Sequence, residues 1–428
     1  MITSDQGIDR ARAIAWYQKN RARTAEIFNL LSDDAYYDQP IAQRHPIVFY
    51  EGHIPAFSLN TLVKKALGKP GIDERLERLF ARGIDPEETD TGSTAGFVWP
   101  DRAQVRAFMA AADEMVIDAL AKETLDVPGH PLLDRANAVY TILEHEAMHQ
   151  ETLLYMWHRL PHEKKRRPAS YRVLTAPSQM TPENIAIAGG RVHLGARKGA
   201  IPFGWDNEFG EEIVEVAPLS VARFNVTNGD FFDFVESGGY SRSELWSPAD
   251  WAWVQEQRLR HPIFWEHDDD VWRWRGMFES LPLPLQWPVY VSHAEASAYA
   301  RWRQRRLLTE AEYQRLVTPY PSGGHYDFAG FEPAPVGTHP DGQTADGVED
   351  LVGNGWEWTS TIFRPFPDFH ASASYPEYSS DFFDDSHYVM KGASPVTAGE
   401  LVRPTFRNWF RPRYPYVYAT FRLAGNLS

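Results

Sequence analysis

Two histidines four residues apart carry the plainest chemical signal in this chain: His145 and His149, in His145-Glu146-Ala147-Met148-His149-Gln150-Glu151. On a helix they stand about one turn apart, roughly 6 Å along the axis and on one face. That spacing lets two imidazoles reach one metal ion. Ile142 and Met156 share the face, so it points into a protein interior, where an imidazole needs a hydrogen bond or a metal. Two hydrogen-bonded core histidines fit the same spacing. A third imidazole lies upstream in Phe49-Tyr50-Glu51-Gly52-His53. His53 follows an apolar run able to face that interior, although a histidine there also serves as an ordinary core or surface residue. Three neutral imidazoles leave coordination positions open, and imidazole suits Fe(II), Zn, Cu and Ni alike. The chain has no cysteine, which removes disulfides, thiolate metal sites, iron–sulfur clusters and cysteine nucleophiles.

His145-Glu146-x-x-His149 also fits a second chemistry, a zinc peptidase with Glu146 as general base. That reading needs a third ligand downstream and a cleft beside a sheet. The downstream residues Leu153-Leu154-Tyr155-Met156-Trp157 instead continue an apolar helix, and the first half offers no strand pattern.

The elements that must position these side chains follow from the pattern. Residues 1–165 read as helical, with the best helices near 7–31, 46–68, 101–121 and 132–160. Asp101 can cap the third, whose stripe is Val105, Phe108, Ala112, Met115, Val116 and Leu120. Pro161 ends the fourth. Four helices of this length suggest an antiparallel bundle. A basic run, His162-Glu163-Lys164-Lys165-Arg166-Arg167-Pro168, reads as an exposed linker, and residues 166–182 as the connection between domains. From 183 to 428 short apolar segments alternate with Gly, Pro, Asn and Asp turns. Ala186 to Gly195 reads as a hairpin turning at Gly189-Gly190. Helices are expected at Asn228–Ser237 and His293–Arg303, among irregular loops on a small sheet scaffold.

Composition bounds the rest. The 428 residues predict two or three domains. A net charge of −15 argues against a general nucleic-acid binder. No apolar run is long enough to span a membrane. The start, Met1-Ile2-Thr3-Ser4-Asp5-Gln6, lacks the basic and apolar regions of a secretory signal. With the missing cysteines, this suggests a cytoplasmic protein. The 15 Trp, 19 Tyr and 24 Phe gather in the second half and suit either a large core or ligand pockets.

Along nearly its whole length the chain resembles the nonheme-iron sulfoxide synthases of ergothioneine biosynthesis, with ovothiol and selenoneine synthases as relatives. The resemblance rests on Phe49-Tyr50-Glu51-Gly52-His53, the 145–151 segment, Arg306-Leu307-Leu308-Thr309-Glu310-Ala311-Glu312-Tyr313, Asp350 to Thr359, Met390-Lys391-Gly392-Ala393-Ser394 and Phe406-Arg407-Asn408-Trp409-Phe410-Arg411-Pro412. It implies an α+β protein: an N-terminal four-helix DinB-like bundle, residues 1–165, joined to a C-terminal C-type-lectin-like domain of the formylglycine-generating-enzyme type, residues 183–428. It assigns His53, His145 and His149 as ligands of Fe(II). Tyr375 matches a catalytic tyrosine supplying a proton or hydrogen bond. Tyr378, Asn408 and Trp409 match positions that hold a betaine, whose trimethylammonium favours aromatic faces. The implied reaction is O2-dependent bonding of a sulfur donor to C2 of the imidazole of hercynine, giving a sulfoxide.

Two departures bear on the donor. Phe410 stands where γ-glutamylcysteine-using members carry an acid, and Met148 stands where they often carry Gln. Free cysteine fits better, or a selenosugar as in selenoneine synthases. An ovothiol-type activity would use histidine as acceptor. Arg411, Arg413 and Tyr414 are the candidates for holding the donor. In domains of this type the Asn354-Gly355 region holds either a structural Ca²⁺ or a turn with a hydrogen-bonded Asn. Formylglycine-generating activity itself is excluded, because it needs a reactive cysteine pair. A lectin-like binding module on a vestigial bundle is the non-enzymatic alternative.

Overall fold

The computed structural model describes residues 2–4, 7–81, 98–175, 181 and 183–427. The chain divides into two compact units, Met1–Pro168 with Ser372–Pro376, and Ala169–Ala371 with Glu377–Ser428. No helix among the described residues is long and apolar enough to cross a membrane.

The first unit opens with two short paired strands, β1 (Thr3–Ser4) and β2 (Gly7–Ile8). The helices α1 (Arg10–Asn29), α2 (Ile47–Ser58), α3 (Glu74–Leu79), α4 (Arg102–Lys122) and α5 (Asn137–Arg159) follow. Helices α1, α2, α4 and α5 pack as the four-helix bundle. Asp101 caps α4 by accepting from the Gln104 amide at 2.8 Å, and the predicted stripe is buried but for the half-buried Met115. Helix α5 starts later than Pro131 suggests. Arg135 and Ala136 both have φ of 55°, which breaks the helical path before Asn137. Helix α2 is buried along its whole length and runs on into a π-helical stretch, Leu59–Ala66. Pro55 lies inside α2 without ending it, because the surrounding packing holds the chain helical despite the missing N–H. The basic run after α5 is docked rather than free. Lys164 pairs with Asp38 at 2.5 Å, Arg166 with Asp33 at 3.1 Å, and the Arg166 amide donates to Leu30. Within the expected 166–182 connection, residues 176–180 and 182 lie outside the described residues.

The second unit runs in order through β3 (Asn184–Ile187), β4 (Gly190–Leu194), β5 (Glu212–Val216), β6 (Leu219–Ala222), α6 (Asn228–Glu236), α7 (Pro248–Gln257), β7 (Trp265–Asp268), β8 (Val271–Arg275) and β9 (Ser280–Pro282). Then come α8 (His293–Trp302), α9 (Glu310–Leu316), β10 (Gly355–Ile362), β11 (Tyr388–Ala393), β12 (Asn408–Phe410), β13 (Ala419–Thr420) and β14 (Ala424–Asn426). The largest sheet has the order β12-β11-β10-β13. The Gly189-Gly190 hairpin does not form. β3 pairs with β6 and β4 with β5, so the two segments belong to different sheets. A Cβ on Gly189 would meet the Val216 carbonyl and Pro218. The glycine there permits a close backbone approach, not a two-residue turn. Helices α6 and α8 fall where expected, each behind a capping box, Thr227 with Asp230 and Ser292 with Glu295. Helices α7 and α9 were not foreseen, although Thr309 and Glu312 form the same box at α9.

A buried ion pair ties the chain between β13 and β14 to β10. The Arg422 guanidinium donates to both Glu357 oxygens (2.5–2.9 Å) and to the carbonyls of Ala222, Arg223 and Glu349. Both side chains are shielded from solvent. Arg422→Ala would leave Glu357 buried without its cation. It is expected to cost about 3–5 kcal/mol, read as a lowered urea midpoint by tryptophan fluorescence. A loss below about 1 kcal/mol would show that the pair adds little.

Candidate metal centre

Helix α5 presents His145 and His149 on one face, and α2 presents His53 towards them. The ring centroids stand 4.5 Å apart for His145–His149, 4.9 Å for His53–His149 and 5.1 Å for His53–His145. One nitrogen from each ring lies within 4.8 Å of the others, and no other cluster of three possible metal-ligating side chains occurs among the described residues.

The local chemistry keeps these rings neutral and oriented. Burial pushes His53 down to about 4, and burial followed by repulsion from the neighbouring rings holds His145 well below its usual range; His149 is depressed likewise, by burial and then by His53. His53 Nδ1 donates to the Phe80 carbonyl at 2.7 Å, leaving Nε2 as its lone-pair nitrogen, 3.2 Å from His149 Nε2. Both ring nitrogens of His145 and Nδ1 of His149 are buried without a hydrogen-bond partner. Unpaired nitrogens of this kind are costly in a core. A metal ion would take one nitrogen from each ring and so relieve part of that cost, and the three residues fit one.

The Phe80 contact depends on Gly52. A Cβ there would lie 2.5 Å from the Phe80 ring, so only glycine lets this turn approach α2 closely enough for its carbonyl to hold His53. Gly52→Ala is expected to lower metal affinity about 10–100-fold, as loss of an outer hydrogen-bond partner does elsewhere. Titration with a divalent metal ion against a competing chelator reads this; unchanged affinity would remove Phe80 from the account.

Glu146 does not join the imidazoles. It is fully buried and turned to α1, where Oε1 accepts from Arg21 at 2.8 Å and from Thr24 at 2.6 Å. Arg21 pairs in turn with Asp113 on α4. A peptidase base must be available to a water at the metal, whereas this carboxylate is committed to holding helices together.

Tyr375 belongs to the first unit although it lies far along the chain. Ser374 Oγ donates to Asn137 Oδ1 at 2.6 Å. The Tyr375 ring meets Phe57 edge-on at 5.2 Å and lies 6.2 Å from the His145 ring. Phe57 itself stacks flat on His145 at 3.5 Å. Phe57 escaped the sequence reading, yet its position four residues after His53 put it on the same helix face.

In the second unit, Tyr378 and Trp409 meet at 5.2 Å with planes 81° apart. Asn408 Oδ1 accepts from the Trp409 amide. Among the donor candidates, Arg413 is paired with Asp250 at 3.2 Å, Tyr414 is buried beneath Phe410 in a parallel stack at 5.1 Å, and Arg411 is exposed. Asn354 has φ of 65°, and its side-chain amide binds both the N–H and the carbonyl of Ala334, the engagement expected of a hydrogen-bonded turn.

Comparison with known proteins agrees with this architecture. Residues 17–153 match the DinB superfamily, and residues 170–427 match the sulfatase-modifying factor enzyme 1-like domain. The chain is 32% identical to the hercynine oxygenase of Mycolicibacterium thermoresistibile, over 84% of this chain and 82% of that one. It is 30% identical to the hercynine oxygenase of Mycolicibacterium smegmatis, over 84% and 86%. Ergothioneine biosynthesis protein 1 of Schizosaccharomyces pombe is 27% identical over 93% of this chain and 54% of its own length. A helical bundle with a three-histidine cluster, followed by a lectin-like domain, defines a two-domain enzyme class. Within it, the chain belongs to the ergothioneine sulfoxide synthase family.

Proposed function

We propose that the protein is an Fe(II)- and O2-dependent sulfoxide synthase that joins a sulfur donor, cysteine in the first instance, to C2 of the imidazole of hercynine in the cytoplasm. The observation that carries this reading is the cluster of His53, His145 and His149, buried and with unpaired nitrogens. These residues would hold iron, which when bound activates O2 and gathers the reactants. Tyr375, near the His145 ring, supplies a proton or hydrogen bond during bond formation. Tyr378 and Trp409 receive the trimethylammonium and Asn408 a polar atom of the betaine. Orientation and exclusion of water are the remaining contributions of the chain.

A different donor is a second reading with its own support. Phe410, stacked parallel on Tyr414, has no polar side-chain atom for a second carboxylate, and Arg413 is engaged with Asp250. That favours cysteine or an uncharged selenosugar over γ-glutamylcysteine. The test is anaerobic reconstitution with Fe(II), then hercynine or histidine with each donor, then air. Mass spectrometry should find a hercynine adduct with cysteine. Adducts only with the selenosugar would make the protein a selenoneine synthase, and adducts only with histidine an ovothiol-type enzyme. No adduct with any pair would overturn the proposal.

A further inference from the structure

The segment Trp205-Asp206-Asn207-Glu208 is buried at all four side chains. Glu208 anchors it. Its carboxylate accepts from Arg403 at 2.6 and 2.8 Å, from Thr405 at 2.6 Å and from the Trp205 amide at 2.8 Å. Burial alone would raise the pKa of Glu208, but Arg403 holds it below the usual range, so the anchor stays charged. Arg407 adds a second tether. Its Nη1 donates to the Asn207 carbonyl at 3.2 Å while Nε and Nη2 donate to the buried Glu310 carboxylate.

Three contacts run from this fixed turn to residues 378 and 379. The Trp205 ring lies nearly face-on against Tyr378, centroids 4.0 Å apart and planes 27° apart. The Ser379 hydroxyl donates to Asp206 Oδ1 and accepts from Asn207 Nδ2 at 2.9 Å. The backbone just after Tyr378 is therefore clasped, and the ring itself is backed by an indole. Trp409 is backed in the same way by Phe363, parallel at 4.3 Å. Tyr378 and Trp409 remain half-buried, whereas Trp205 is 2% exposed. Burying an aspartate and a glutamate is a poor way to gain stability. Here they fix one ring at a set angle to another.

We propose that Trp205, with the Asp206–Ser379 clasp, is a positioning device for Tyr378. It holds the perpendicular Tyr378–Trp409 pair in the geometry that a quaternary ammonium requires, and so sets the preference for a trimethylated acceptor over a free amine. Cation–π attraction needs the cation over a ring face and within about 6 Å of its centroid. A ring ordered in advance also loses less entropy on binding. Trp205 acts through Tyr378 and does not touch the ligand. The inference rests on the betaine reading of Tyr378 and Trp409.

The test measures hercynine and histidine binding to the Fe(II)-loaded full chain under anaerobic conditions, with KM and kcat for hercynine alongside. Trp205→Leu should weaken hercynine about tenfold, the scale of one desolvated cation–π contact, and histidine by less than about twofold. Trp205→Phe should restore most of the loss. Ser379→Ala, which removes only a hydroxyl, should raise the KM for hercynine more than it lowers kcat, and it carries the test if Trp205→Leu fails to fold. Trp205→Leu combined with Tyr378→Leu should bind no worse than Tyr378→Leu alone, because the two act as one unit. Additive losses, or an unchanged hercynine-to-histidine ratio in both Trp205→Leu and Ser379→Ala, would overturn the positioning role while leaving the betaine reading intact. If the unaltered protein does not bind hercynine, the betaine reading fails and the inference with it.

Discussion

His53→Ala is expected to empty the metal centre. In the intact protein α2 contributes one imidazole and α5 two, all within 4.8 Å. Without His53, two imidazoles of one helix remain, and no carboxylate of the cluster is placed to substitute, because Glu146 is committed to Arg21 and Thr24. Loss of an outer-sphere partner already costs a metal site about 10–100-fold in affinity, and loss of a ligand costs at least the upper end of that. Iron measured by elemental analysis after desalting should fall from about one per chain to less than about a tenth, and adduct formation should fall in parallel. His53 is 1% exposed, so the vacated space will also destabilise the bundle, by about 2–4 kcal/mol on the scale of large-to-small core changes. Circular dichroism separates that loss from ligation, and His53→Gln, closer in volume, should lose iron with less loss of stability. Retained iron and product in both variants would rule out a three-histidine centre. Peptide cleavage that survives His53→Ala and is abolished by Glu146→Gln would point to the peptidase chemistry instead.

How much of this centre was legible in the sequence depends on how local each feature is. His145 and His149 are one helical turn apart, so their shared face follows from helix geometry alone. His53 joins them only through packing of α2 on α5, and the sequence offered it as one option beside an ordinary core histidine. Gly52 and the Phe80 carbonyl were not legible at all. The use of the glycine is to admit a ring from a turn well down the chain. Glu146 illustrates the converse. Its motif suits a zinc-site base, and only the partner on α1 reveals a structural role. In the second unit the alternation at 184–194 was read correctly as two strands but paired with the wrong neighbours. Period-two patterning states which face is buried, and two strands of like pattern can pair with each other or with others. The Trp205–Glu208 turn left no periodic signal, since a short irregular turn is defined by its distant partners. Tyr375 presents the same difficulty. The bond from Ser374 to Asn137 places it with the bundle, against its place in the chain.

Tyr375→Phe is expected to uncouple oxygen consumption from C–S bond formation. The ring of Tyr375 lies edge-on to Phe57 at 5.2 Å and 6.2 Å from His145, and phenylalanine preserves these ring contacts. The substitution therefore removes a hydroxyl and little else, so the bundle should melt at nearly the same temperature and iron content should stay near one per chain. A positioned acid or base contributes about 10²–10⁴-fold to a step in which a proton moves, and the rate of adduct formation should fall within that range. The donor thiol remains a competing reductant, and O2 should then be consumed by thiol oxidation at a rate that falls far less. The ratio of adduct formed to O2 consumed, from mass spectrometry and an oxygen electrode in the same vessel, is the diagnostic quantity, because lost iron or a disturbed fold would lower both rates together and leave it unchanged. An adduct-to-O2 ratio equal to that of the unaltered protein would assign the proton to another group.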